Sequence, residues 1–105
     1  MLTKFKTYQL AVSFHHSCRS IQLPGYLKDQ LLRASSSVAL NLSEGSAKPT
    51  FRDQMKFFYI AMGSLRECQA ALDLAPRRCP ELIAAADCLG AHLYRLCNRK
   101  PGPTC

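Results

Sequence analysis

Between Pro49 and Pro76 the chain runs 26 residues without a proline, and its apolar positions recur at the interval of an α-helix. Phe51, Met55, Phe58, Ala61, Met62, Leu65, Cys68 and Leu72 form one stripe, while Phe57 and Ile60 fall outside it. Thr50-Phe51-Arg52-Asp53 reads as a capping box, with Asp in place of the usual Glu, and predicts a helix from there to about Leu74. Such a helix is roughly 24 residues, or about 36 Å, long. A surface helix normally keeps one polar face, so a helix apolar over most of its circumference is covered from two sides. A chain of 105 residues builds one core and covers the helix once. The second covering predicts a homo-oligomer.

The remaining segments are read against this helix. A first helix is expected from Lys4 to about Ile21, with Phe5, Tyr8, Ala11, Val12, His15 and Cys18 in a stripe that Phe14 and Ile21 widen. Leu23-Pro24-Gly25 breaks it. A second is expected from about Leu27 to Glu44, with Leu27, Leu31, Ala34, Ser35, Val38, Asn41 and Leu42 on one face and Gly45 as a left-handed stop. Leu32 and Leu40 lie on its other faces. After the turn Ala75-Pro76-Arg77-Arg78-Cys79, Pro80 suits the first position of a fourth helix reaching about Asn98. No segment alternates as a strand would. The expectation is an all-α protein, an antiparallel up-down-up-down four-helix bundle over residues 1–100, with residues 101–105 a flexible tail.

Charge narrows the choice of partner. Fourteen Lys and Arg against seven Asp and Glu give a net charge of +7 and a pI near 9.4. That excess concentrates polyanions, so nucleic acid or an acidic protein suits the surface better than a basic one. The first residues carry no apolar h-region, and no apolar run approaches the ~18 positions of a membrane span. A soluble cytoplasmic protein is expected, its six cysteines reduced and those at Cys18, Cys68, Cys88 and Cys97 acting as small helix hydrophobes.

Two readings compete for the polar residues of the second and third helices. Asn41 and Glu44, with Ser64 and Glu67, could form an active-site carboxylate pair. No histidine or nucleophile is tied to them by spacing, so a polar clasp between the two helices, or a subunit contact, is preferred, with Gly45 ending its helix and Gly63 letting another helix approach. His15, His16, Cys18, His92 and Cys97 could surround a metal in a bundle core, but no C-x-x-C pair is present, and no metal or cofactor is expected. Gly45-Ser46-Ala47-Lys48 lacks the frame of a phosphate loop. Arg52, Lys56 and Arg66 share one side of the third helix with Tyr59, and Lys48, Arg77 and Arg78 flank its ends. Of these, Arg52, Lys56, Arg66, Arg77 and Arg78 are the candidates for phosphate contact, a strip that would repeat around an oligomer.

Tyr8-Gln9-x-Ala11, Gln30-x-x-Arg33-Ala34, Asn41-x-x-Glu44-Gly45 and Phe58-x-Ile60-Ala61-x-Gly63-Ser64-x-x-Glu67 together resemble the four-helix bundle proteins encoded within intervening sequences of bacterial 23S ribosomal RNA genes. The accessory variability determinant proteins of diversity-generating retroelements share that fold group. The resemblance implies a ring-like homopentamer with a basic surface and no established enzymatic activity; in the retroelement branch the ring binds reverse transcriptase and nucleic acid. The reading that results is a non-enzymatic oligomeric bundle binding RNA, DNA or a nucleic-acid enzyme. The alternatives are a scaffold for an acidic protein partner and, third, a metal-dependent enzyme.

Overall fold

The computed structural model describes residues 2–101, so residues 102–105, most of the expected tail, lie outside the described region, as does Cys105. A single 3₁₀ turn, Leu2–Lys4, precedes four helices: α1 (Lys6–Arg19), α2 (Gly25–Ser46), α3 (Phe51–Leu74) and α4 (Pro80–Cys97). No strand occurs among the described residues.

The expected bounds of α3 hold at both ends, for the reason the sequence offered. Thr50 is extended, and its Oγ1 accepts the amide of Asp53 at 3.2 Å, satisfying one of the orphan donors of the first turn. Pro80 opens α4 as expected, where its missing N–H is no loss. Helix α1 is shorter than its periodicity suggests. Lys4 sits in the 3₁₀ turn and the helix closes at Arg19, while Ile21 and Leu23 pack on the core from the connection.

Gly45 departs from expectation. It does not stop α2 in a left-handed conformation: no described residue, glycine included, has positive φ. Helix α2 runs through Gly45 to Ser46, and the amide of the cap Ala47 bonds back to Glu44 and Gly45. Glycine is required here by proximity. A Cβ on Gly45 would stand 2.7 Å from Cε1 of Phe58 and 3.0 Å from Cβ of Phe57, so α2 meets α3 almost backbone to side chain.

Each helix packs on its neighbours in the chain and α1 closes on α4, with the α2–α3 contact the most extensive. The core lies along the shared axis, with Leu31, Val38, Leu42, Leu65, Cys68, Leu89 and Leu93 all but sealed from solvent. Phe14 sits in the buried face of α1 with Thr7, Ala11 and Cys18, whereas periodicity placed it at the margin. The helical stripe, drawn on apolar residues alone, was pulled aside by Tyr8, Val12 and His15, which are half-buried. Ser64, polar and therefore left out of the α3 stripe, is likewise buried.

Side-chain contacts fix the register. Gln30 meets Glu67 and Ser37 meets Ser64, so partners on α3 fall in number as those on α2 rise. The same holds between α3 and α4, where Gln54 meets Arg99, Tyr59 meets Cys97 and Gln69 meets Asp87. Phe5, ahead of α1, stacks edge-on against Phe58 at 6.2 Å between centroids. Phe5 ahead of α1, Gly45 of α2 and Arg99 beyond α4 thus all lie against Phe58 of α3, in a molecule 51 × 21 × 18 Å in extent.

Candidate functional site

Asn41 Nδ2 donates to the Ser37 carbonyl at 2.9 Å and to Ser37 Oγ at 3.1 Å, and Ser37 Oγ lies 2.8 Å from Ser64 Oγ. The chain of contacts joins α2 to α3, with Ser37 as a link that periodicity did not single out. Glu67 accepts from Gln30 Nε2 at 2.8 Å across the same seam. Glu44 instead pairs with Lys48 at 3.4 Å within its own turn. Through the register, Glu44 stands level with Phe57 and Glu67 ten residues further along α3, about 15 Å away. The two carboxylates are not a pair. Gly63 faces outward, and nothing lies within 4 Å of where its Cβ would be. Within the subunit the close approach between helices is made at Gly45.

Cys18 shares Ser35 with His15 and lies close enough to Cys68 to act on it, but the histidines and thiols do not gather as a ligand set. His15 Nδ1 is 2.6 Å from Ser35 Oγ, His92 Nδ1 meets its own helix at the Cys88 carbonyl, and Cys97 Sγ donates to the Phe58 carbonyl. Among the described residues no group of three His, Cys, Asp or Glu stands where it could hold a metal ion. Burial pushes the Cys18 and Cys68 thiols up to about 12, the opposite of what a thiolate nucleophile needs. Ser35, the partner of His15, is wholly buried and unreachable by a substrate.

Burial first, then the charges of His16 and Arg19, hold His15 below the ordinary histidine value. The folded protein therefore keeps this ring neutral at a pH where the unfolded chain protonates it. Its contribution is complete above about pH 6.5 and declines as pH falls below that value. Melting temperature should drop between about pH 7 and pH 5, and His15→Gln should flatten that drop. Parallel curves for the two proteins would contradict the assignment.

All five candidate cations are exposed, yet the fold separates them. Arg52 and Lys56 lie in the first turns of α3, whereas Arg77 and Arg78 lie in the connection beyond its last turn. Arg66 is between them and donates to Gln69 Oε1 at 2.8 Å. What Arg52 and Lys56 join is a larger group that the linear sequence scatters. Lys4 and Lys6 from the start of the chain, Lys48 from the α2–α3 connection, and Arg95, Arg99 and Lys100 from the end of α4 occupy the same half of the bundle. Only Glu44 and Asp53 oppose them there. The other half mixes six cations with Asp29, Glu67, Asp73, Glu81 and Asp87 and is close to neutral.

Aromatic rings seat two of these cations. The Arg99 guanidinium lies over Phe51 and Phe58, at 5.2 and 5.7 Å from their centroids, and donates to Gln54 Oε1 at 2.5 Å. Lys48 lies 5.1 Å over Phe57. The sequence carried a signal for Arg99, since short connections bring the end of a fourth helix beside the start of the third.

Leu40 on α2 and Ile60 on α3 are 67% and 47% exposed. Each is within one helical turn of the Ser37–Ser64 contact, so they flank the outer side of the α2–α3 seam together with Gly63. Among the described residues no helix is long and apolar enough to cross a membrane.

No curated protein and no solved structure matches this sequence. The family model of the 23S rRNA-intervening sequence proteins matches residues 2–80, spanning α1, α2, α3 and the turn that leads into α4. That span holds the whole α2–α3 seam and its motifs, and the chain belongs to the 23S rRNA-intervening sequence protein family.

Proposed function

We propose that the protein is a non-enzymatic bundle that assembles into a homo-oligomer, a pentamer on the family resemblance, and binds RNA or DNA through its basic surface. A nucleic-acid enzyme such as a reverse transcriptase is a partner of the same kind. The helices run up-down-up-down and antiparallel in this reading, which the falling partner numbers across α2–α3 and α3–α4 support.

One observation carries the functional reading. The net charge is +7 whatever pairs form, and among the described residues Lys48–Glu44 is the single ion pair, so the other cations are not engaged by a carboxylate of the subunit and face an external polyanion. Coulombic contacts of that kind release counterions, and the logarithm of affinity should fall linearly with the logarithm of salt concentration. Titrating a labelled single-stranded RNA and a duplex DNA across a salt series tests this. Binding at low salt that weakens about tenfold or more on raising salt from roughly 50 to 200 mM is expected for a few phosphate contacts. Undetectable binding at low salt, or affinity indifferent to salt, would reject the mechanism. Capture of an acidic protein that survives nuclease treatment would favour the scaffold alternative.

A further inference from the structure

We propose that the phosphodiester backbone is taken by the basic end of the bundle, and that the flank of α3 beyond its first turns and the Arg77–Arg78 turn contribute little. The inference rests on the nucleic-acid reading above and adds where the contact is made and how the ligand is read.

Four separate segments converge on this end, and each delivers at least one cation to it: Lys6, Lys48, Arg52 and Arg99 stand for the four. Two of them are seated before any ligand arrives. Arg99 is fixed over Phe51 and Phe58 and by Gln54, and Gln54 Nε2 donates to the Lys48 carbonyl at 2.9 Å, linking the two seated cations. A cation already ordered on a ring loses less side-chain freedom on binding than a free lysine does. The opposite end offers no such excess, because its carboxylates nearly balance Arg66, Arg77, Arg78 and their neighbours. Field lines from a multiply charged anion therefore converge on one end of the molecule.

The dimensions also bear on what is read. The bundle is 21 × 18 Å across its short axes, wider than the ~12 Å major groove of a duplex, so the end as a whole does not seat in the groove as a single recognition helix does. Contacts made from it go to phosphates, which position a nucleic acid and carry no sequence information. Sequence-tolerant binding is the consequence, and it distinguishes phosphodiester recognition here from reading by an inserted helix.

Two triple variants with equal change in net charge separate the site from a general charge effect. Lys6→Glu/Arg52→Glu/Lys100→Glu alters exposed cations of the basic end, and Arg66→Glu/Arg77→Glu/Arg78→Glu alters the rest of the sequence-derived strip. Circular dichroism and melting establish that both fold, and binding to a labelled 30-nucleotide RNA is followed across the salt series. The end variant should lose at least tenfold in affinity and about two units of salt slope, while the flank variant stays within about threefold of the parent. Equal losses, or a larger loss in the flank variant, would overturn the location while leaving nucleic-acid binding intact. Absence of binding by the parent protein at low salt would overturn both. Polyglutamate that competes as well as unlabelled RNA of equal charge would overturn the phosphodiester assignment. RNAs of unrelated sequence differing more than about tenfold in affinity would refute backbone-only reading.

Discussion

Replacing Gly45 with valine is expected to lower the melting temperature by on the order of 10 to 20 °C, with the helical signal lost over the same range. The added Cβ would lie within 3.0 Å of the Phe58 ring and the Phe57 Cβ. Phe58 has little room to retreat, since it is 2% exposed, stacked by Phe5 and roofed by Arg99. Overpacking costs about 1 to 3 kcal/mol, and the branched side chain adds to the crowding. Valine's better helix propensity returns only a few tenths of a kcal/mol. Gly63→Ala supplies the contrast. It adds the same kind of atom on the facing helix into space that is open within the subunit, where alanine gains up to about 1 kcal/mol from propensity, and in a monomeric Leu40→Asp/Ile60→Asp background it should raise the melting temperature by a few degrees. A Gly45→Val protein that melts with the parent would show that α2 and α3 can part at no penalty, contrary to the packing described.

Leu40→Asp combined with Ile60→Asp should convert the proposed homo-oligomer to monomers. Both side chains are exposed in the subunit, so neither change removes core packing, and subunit stability should stay within about 0.5 kcal/mol per site. In an assembly the same positions would be covered. Each lost apolar contact is worth about 1.5 to 3 kcal/mol, and two buried carboxylates add a desolvation penalty, so association should weaken by more than about a thousandfold. Light scattering at micromolar concentration reads the result directly. A parent protein that is already monomeric under those conditions, or a variant with unchanged mass, would remove the case for assembly through this seam.

Much of the fold was legible because helix signals are local. Thr50 and Pro80 mark the starts of α3 and α4 through orphan amides of the first turn, a matter of a few consecutive residues. Gly45 was legible as a constraint but not as the right one. Glycine marks both a left-handed stop and a close approach, and only the position of Phe58 on a different helix separates the two. The seam was readable as a set of motif residues, whereas Ser37 was not, because a serine on a helix announces no partner until the facing helix is placed. The candidate cations show the same limit. Grouping along α3 set Arg52 and Lys56 beside Arg66, Arg77 and Arg78, which stand up to about 36 Å away along the helix. Lys4, Lys6, Arg99 and Lys100 are distant in sequence and adjacent only once both ends of the chain fold to the same place.

That shared location has a practical consequence. Leu2 and Pro101 both emerge beside the Phe5–Phe58 stack and the Arg99 guanidinium. Whatever is joined ahead of the one or beyond the other, a purification tag or another domain, is delivered to the basic end and can shield or compete for it. A polyhistidine or acidic tag at either terminus should therefore be cleaved before affinities are compared. The Ala75–Cys79 turn, at the far end of α3, is the position from which a reporter can be carried without disturbing the charges that matter.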